Sequence, residues 1–277
     1  MSFINKMRVL VVLVLSAGVS LGQQINVGLT LAYNVYIVGE PVLVQIEALN
    51  ATRDLMDVGA PDSKDHVLIE ITKNGQYNSV KAFNEDPVTG AFQLKPSQTF
   101  RHKVELDKWF SLLQEGKYVV RVVFVHAGMR YESSKKSFDI LPGIPLMEGV
   151  QMFVGRPDLR RNFKLVYWHR NQVDRLFLKM VDEPGARVWD SIDLGNMMRG
   201  QQPKLDISPE GEVTVVHRAT QDAFARTLLW SLPDVVEVVE RNSITDPDIS
   251  ATQRVKSLYG EMADEGAKEK RAWWKFW

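Results

Sequence analysis

Two His-Arg pairs carry the side chains best suited to binding chemistry. His169-Arg170 and His217-Arg218 are separated by 48 residues (217 − 169 = 48). Arginine binds a carboxylate through two parallel N–H donors, and histidine is a donor whose charge changes near neutral pH. If both pairs line one rim of a β-domain, they could bind an anionic group such as a carboxylate or a sugar acid. The alternative is that each pair merely ends a strand and recurs because the fold recurs.

The last ten residues of the sequence are rich in aromatic and basic side chains. Three roles are open for this segment, 268–277. It could fold back onto an apolar groove of its own sheets, or dock into a partner, since Trp anchors dominate interface energetics. It could also make peripheral contact with a membrane surface, where Trp, Lys and Arg collect. The candidate contact residues are Trp273, Trp274, Phe276 and Trp277.

Catalytic and metal-binding motifs are missing from the sequence. The chain has no Cys, which removes thiol nucleophiles and thiolate metal ligands. It also has no His-Glu-x-x-His, no Gly-x-Ser-x-Gly and no phosphate-cradling glycine loop. Residues 133–136 match a Ser-x-x-Lys pattern, but they lie in a predicted strand and lack the companion motifs. We therefore expect no cofactor and no metal site, and we favour a non-catalytic protein.

The first 22 residues have the pattern of a cleaved secretory signal peptide. Lys6 and Arg8 precede an apolar run, and Ser20-Leu21-Gly22 places small residues where a signal peptidase cuts, so that Gln23 begins the mature chain. The apolar run is shorter than the ~20 residues of a bilayer-spanning helix. Export without Cys fits a bacterial periplasm or secretion better than a disulfide-rich animal compartment.

The charge of the chain argues against nucleic acid as a partner. The full sequence has 34 basic and 34 acidic residues. Without Lys6 and Arg8, the mature chain has 34 − 2 = 32 basic residues and a net charge near −2. Phosphate binding is driven by an excess of Lys and Arg. Together with the predicted export, this leaves a cell-envelope protein or an anionic glycan as the expected partner.

Short segments with period-2 alternation of apolar residues predict a β-domain over residues 23–141. Turn signals such as Gly39-Glu40-Pro41 and Lys73-Asn74-Gly75 separate the segments. The predicted strands are 25–31, 42–50, 67–71, 100–106, 118–125 and 130–140.

One local pattern in this β-domain carries a resemblance to a known family. In Leu113-Gln-Glu-Gly-Lys-Tyr118, the tyrosine directly precedes a β-branched strand. This resembles the tyrosine corner of Greek-key sandwiches, in which a Tyr hydroxyl bonds to the backbone just upstream. Together with Val38–Val42 and Ser134–Leu141, it makes residues 25–142 similar to bacterial immunoglobulin-like or fibronectin-III-like domains. The resemblance implies a β-sandwich and says little about function.

A second β-domain is predicted after a Pro-Gly-rich linker, and it contains a weak internal repeat. The predicted ranges are 142–146 for the linker and 147–245 for the domain, with strands at 163–168, 175–181, 187–192, 213–217, 225–230 and 235–239. A shift of 48 residues superposes Asp174 on Asp222 as well as the two His-Arg pairs. Residues 150–245 thereby resemble β-propeller-type blade repeats. A closed propeller needs typically 4–8 blades, so we expect two blade-like sheets, either packed on each other or forming a propeller fragment that a partner completes.

The sequence as a whole predicts an all-β chain with an N-terminal Ig-like sandwich and a second antiparallel β-domain. Asp246-Pro247 and apolar residues at helical spacing predict a short helix before the aromatic tail, within 246–277. The favoured function is an exported, non-catalytic binding or structural protein of the bacterial cell envelope. The alternative is a glycan-processing hydrolase with an Ig-like accessory domain, whose catalytic carboxylates would come from distant strands.

Overall fold

The computed structural model describes residues 25–73 and 79–244, and β-strands dominate both stretches, which confirms the predicted all-β class. The first strands are β1 (Ile25–Leu31), β2 (Val35–Ile37), β3 (Leu43–Asn50), β4 (Met56–Val58), β5 (His66–Lys73), β6 (Phe92–Leu94), β7 (Thr99–Glu105), β8 (Gly116–His126), β9 (Met129–Glu132) and β10 (Lys136–Leu141), with a 3₁₀ turn at Leu106–Lys108. The later strands are β11 (Ile144–Phe153), β12 (Arg156–Arg170), β13 (Val173–Glu183), β14 (Arg187–Val188), β15 (Ile192–Asn196), β16 (Lys204–Ile207), β17 (Glu212–Arg218), β18 (Phe224–Leu232) and β19 (Val235–Ile244).

Strands β1 to β10 build a two-sheet sandwich. One sheet has the order β1-β3-β7, the other has the order β2-β10-β8-β5 with β9 also paired to β8, and β4-β6 is a small ribbon. Side chains that point inward from both sheets, such as Ile46, Val104, Val122 and Phe138, share one core. This packing explains the alternation in the sequence, because successive side chains of a strand point to opposite faces.

Tyr118 has the hydrogen bond that its sequence position predicts. Its hydroxyl donates to the backbone carbonyl of Gln114 at 2.7 Å, and its ring stacks on Phe138 with centroids 5.4 Å apart. Burial of the side chain raises the pKa of the phenol. The corner therefore fixes the entry of the chain into β8.

The predicted strand at 130–140 is divided into β9 and β10 in the structure. Glu132 pairs with Val123, whereas Lys136 pairs with Val120, so the register along β8 changes by one residue between them. The amide of Ser133 donates to the carbonyl of Val122, and the hydroxyl of Ser133 accepts from the amide of Val122. The serine thus ends one ladder before the next begins.

Strands β11 to β19 build the second β-domain from two antiparallel sheets. Their orders are β11-β12-β13-β14, with β15 also paired to β13, and β16-β17-β18-β19. Phe163 and Leu165 from one sheet and Val213, Val215 and Leu229 from the other share a core. The hairpins β12–β13 and β17–β18 contain the residues that the 48-residue shift superposes. Two antiparallel sheets agree with the prediction, and their relation to propeller blades stays a prediction.

The joint between the two β-domains is shorter than the predicted linker 142–146. Only Pro142 and Gly143 lie between β10 and β11. Pro145 is accommodated in β11 because this strand lies at a sheet edge and its register shifts beside the proline. Gly143 has φ +76°, and a Cβ there would lie 2.8 Å from Val166 Cγ2. The joint therefore runs close against the second domain.

Some predictions fall outside the described residues. These are the signal peptide 1–22, Asn74-Gly75 of the predicted turn, and the helix and aromatic tail within 246–277.

A fully buried arginine joins the two sheets of the second domain. Arg161 donates to the carboxylate of Asp182 from Nε at 2.6 Å and from Nη2 at 3.0 Å. It also donates to the hydroxyl of Ser231 at 2.8 Å and to the carbonyls of Leu232 and Pro233 at 3.0 Å each. These bonds use all five guanidinium N–H donors. Because Asp182 lies on β13 and Ser231 on β18, one side chain ties the sheets together.

Replacement of Arg161 by Gln tests this connection. The substitution leaves the buried carboxylate of Asp182 without its counter-charge, so we expect the free energy of unfolding to fall by about 3–5 kcal/mol. Urea unfolding measures the change. Arg160→Gln is the matched control, because Arg160 is exposed and pairs with Glu183 at 2.7 Å, and such a surface pair contributes about 1 kcal/mol or less. Equal losses for the two variants would contradict the role of Arg161.

Candidate functional site

A cleft of about 500 Å³ opens in the first sandwich between the end of β1 and the start of β10. We call it the lysine cleft. Its polar lining consists of Thr30, Asn34, Lys117, Lys135, Lys136, Ser137 and Asp139.

The cleft exists because β2 covers only part of the edge of β10. Their parallel ladder includes only Asp139–Leu141. The amide of Asp139 donates to the carbonyl of Asn34 at 2.9 Å, and the carbonyl of Leu141 accepts from the amide of Val38 at 2.9 Å. Backbone groups of alternate strand residues point to the same side. The N–H and C=O of Ser137 therefore point to the side of β2. Ser137 lies two residues before Asp139, where the ladder with β2 begins, and it lines the cleft.

The other wall of the cleft is the edge strand of the opposite sheet. Strand β1 pairs with β3 on one side and ends the sheet on the other. The amide of Ala32 donates to Leu43 of β3 at 3.1 Å, so the backbone groups of the preceding residue, Leu31, point away from β3. Leu31 also lines the cleft. Two strand edges thus present backbone groups to one space.

The lining of the lysine cleft has a positive balance. Lys117, Lys135 and Lys136 stand against the single carboxylate of Asp139 among its described lining residues. The amide of Asn34 and the hydroxyl of Ser137 add neutral donors. This arrangement can bind a carboxylate through charge-assisted hydrogen bonds. Sequence reasoning misses the cleft, since its only signal is the Lys135-Lys136 pair inside the Ser-x-x-Lys match.

Arg170, a predicted binding residue, is the centre of the interdomain contact. Its Nη1 and Nη2 each donate to the carboxylate of Glu40 at 2.6 Å, and Nη2 also donates to the carbonyl of Val35 at 2.9 Å. The side chains of Arg170 and Glu40 are only 5% and 9% exposed. The guanidinium lies 4.2 Å from the centroid of the Tyr33 ring. A carboxylate of the first domain therefore occupies the anion-binding fork of this arginine.

Backbone contacts seal the same junction. The amide of Ser191 donates to the carbonyl of Gly39 at 2.7 Å, and its hydroxyl donates to the carbonyl of Val38 at 2.8 Å. Gly39 has φ +84°, and a Cβ there would lie 2.9 Å from the Ser191 hydroxyl. Ile37 of the first domain packs with Val166 and Phe177 of the second in a small separate core. The two β-domains therefore contact each other closely.

The other predicted His-Arg residues lie near one end of the second domain. His169 is exposed, and its Nδ1 lies 2.9 Å from Asp174, which also accepts two bonds from Arg199. His217 is buried, and its Nε2 lies 3.0 Å from the carbonyl of Asn196. Burial lowers the pKa of His217 below the ordinary value of 6.5. Arg218 donates to the carbonyl of Gln221.

These contacts show which predicted residues the structure brings together. The segment 196–199 bridges them, because Met198 bonds to Arg218 while Arg199 bonds to Asp174, the partner of His169. Arg170 and His217 are buried and have partners inside the protein. His169, which is exposed, and Arg218, which is half-buried, remain candidates for binding an anion. The predicted aromatic contact residues, Trp273 to Trp277, lie outside the described ranges.

Two searches of the described residues, 25–73 and 79–244, are negative. In that part of the chain no group of three or more His, Asp or Glu side chains could hold a metal ion. No helix there has the length and apolar character needed to cross a membrane.

Comparisons with known proteins give only remote similarities. No protein-family model matches the chain, and no curated protein matches it. Among solved structures, it is similar to the sporulation control protein Spo0M from Bacillus subtilis (11% identity, 87% of this chain and 98% of that chain, TM-score 0.29). It is also similar to a DUF4784 family protein from Bacteroides caccae (9%, 80% and 71%, TM-score 0.21) and to a chain named BspA_C_WT (13%, 77% and 96%, TM-score 0.22). Similarities at these TM-scores carry no argument for function.

The Glu40–Arg170 pair can be tested by Glu40→Gln. The substitution leaves the charge of Arg170 buried without its counter-ion, and we expect a loss of about 3–5 kcal/mol in the free energy of unfolding. Glu47→Gln is the control, because Glu47 pairs with Arg101 on the exposed surface at 2.9 Å, where a pair contributes about 1 kcal/mol or less. Urea unfolding compares the variants. A Glu40→Gln protein as stable as the control would contradict the role assigned to the pair.

Proposed function

We propose that this chain is an exported, non-catalytic binding protein of the bacterial cell envelope, and that its lysine cleft binds an acidic group of its partner. The observation that carries the proposal is the lining of the cleft, where Lys117, Lys135 and Lys136 surround an open strand edge. A cleft lined by charges of one sign attracts partner groups of the opposite sign.

The first β-domain, in this proposal, is an Ig-like binding module. The two-sheet sandwich supports this assignment, as does the bond from the Tyr118 hydroxyl to Gln114 at 2.7 Å. The second β-domain acts as a rigid support. The buried Glu40–Arg170 pair and the bonds of Ser191 to Val38 and Gly39 attach it to the segment that follows β2.

Export is tested by the fate of the N-terminus. The full chain, expressed in a Gram-negative bacterial host, is expected in the periplasmic fraction with Gln23 as its first residue, because the 22 preceding residues are read as a signal peptide. Mass spectrometry of the purified protein gives the cleavage site. A variant with Leu10→Arg and Leu13→Arg interrupts the apolar run and should stay uncleaved in the cytoplasm. Cytoplasmic, full-length wild-type protein would contradict export.

Acid binding at the cleft is tested with a defined polyanion. Fluorescein-labelled poly-L-glutamate is titrated with the mature protein at about 0.1 M salt, and fluorescence anisotropy gives the affinity. We expect the double variant Lys135→Gln, Lys136→Gln to bind about tenfold more weakly, from a loss of ~0.5–1 kcal/mol per removed charge contact.

A second double variant controls for net charge. Lys95, just after β6, and Lys103, on β7, are exposed and do not belong to the cleft lining. The double variant Lys95→Gln, Lys103→Gln therefore removes the same charge elsewhere. Its affinity should stay within about twofold of wild type, because exposed charges beyond a Debye length, ~10 Å at 0.1 M salt, are largely screened. Equal weakening in both double variants, or no binding by the wild type, would overturn the proposed site.

A further inference from the structure

We propose that the occupant of the lysine cleft is a short extended acidic peptide segment, which binds by adding as a strand beside β10. This inference rests on the proposed function and names the class of partner. It depends on three features of the cleft: an unpaired stretch of strand edge, a second edge opposite it, and the sign of the charge around both.

Among the described residues, no strand pairs with the first half of β10 on the side of β2. Its second half is bonded to β2 through Asp139 and Leu141. Ser137 offers its N–H and C=O in the same direction, at a level that β2 does not reach. A peptide strand placed in line with β2, ~4.8 Å from β10, would accept and donate one pair of bonds there. Strand addition of this kind takes its affinity from main-chain bonds and its specificity from side chains.

The opposite edge limits what can enter. Leu31 of β1 faces the cleft from the other sheet. An occupant must therefore be narrow enough to fit between the edges of the two sheets. An extended peptide meets this requirement and brings backbone donors and acceptors along its length. An anionic glycan can supply carboxylates, but it has no regular series of amide groups to match Ser137.

The charge around the edge selects among peptides. In an extended segment the side chains of every second residue share a face, ~6.6–6.8 Å apart. Lys135 and Lys136 follow one another, so their side chains point to opposite faces. Acidic side chains on either face of the segment could therefore reach one of these lysines while the backbone contacts Ser137. A second copy of this chain that paired through the same edge would bring lysine against lysine. The complementary occupant is therefore an acidic segment of another protein.

The probe for this mode is a six-residue peptide of alternating Glu and Thr, with blocked ends. It is compared with the same peptide N-methylated at every residue, which keeps all carboxylates but has no backbone donor, and with a trimer of galacturonic acid. We expect the unmodified peptide to bind about tenfold more tightly than the N-methylated one, which corresponds to ~1.4 kcal/mol of lost hydrogen bonding. Binding should also weaken in the Lys135→Gln, Lys136→Gln variant.

Amide exchange measured by NMR locates the contact on the protein. Saturation with the unmodified peptide should slow exchange at Ser137 by about tenfold, because a new bond protects its N–H. Phe138 is the internal control, since its amide points to the other side of β10, toward β8, and its exchange should not change.

The outcomes separate the two proposals. If the N-methylated peptide or the galacturonate trimer binds as tightly as the unmodified peptide, and Ser137 is not protected, the cleft binds acid by charge alone and strand addition is wrong. If neither these probes nor poly-L-glutamate binds, the proposed function itself is wrong.

Discussion

The buried ion pair between Glu40 and Arg170 is the interaction on which the arrangement of this protein depends. Burying either charge alone costs several kcal/mol, so each side chain is tolerated in the junction only while the other is present. Both guanidinium Nη atoms donate to the one carboxylate at 2.6 Å. This fork geometry fixes direction as well as distance. The pair therefore sets how the second β-domain meets the first.

The same arginine also shapes the lysine cleft. Its Nη2 donates to the carbonyl of Val35, and its guanidinium lies over the ring of Tyr33. Asn34, between these two residues, belongs to the cleft lining. The point at which the chain leaves β1 and begins β2 is thus held from the second domain. Because β2 begins there and no earlier, no strand in the described part of the chain pairs with β10 beside Ser137 on this side. A long-range contact in this way maintains a local opening.

The sequence predicts those parts of the fold that depend on neighbouring residues. Alternation of apolar side chains locates most of the principal strands, although not β11 (Ile144–Phe153), and the position of Tyr118 predicts its bond to Gln114. Short or mixed strands such as β2, β4 and β16 have too few alternating residues to be recognised. The role of Arg170 could not be predicted, because Glu40 lies 130 residues away in the chain. The cleft was equally hidden, since four separate segments assemble it.

The lysines beside β10 are consistent with a simpler protective role, because charged residues at strand edges discourage unwanted pairing between proteins. The geometry shows why protection and binding do not conflict here. Lysine repels a second lysine-bearing edge, and so it prevents self-association through Ser137. The same charge attracts an extended segment that carries Asp or Glu. A neutral strand gains the backbone bonds alone, at a net ~0.5–1.5 kcal/mol each, which is too little to hold a short peptide. One set of side chains can therefore keep the edge free from its own copies and open to an acidic partner.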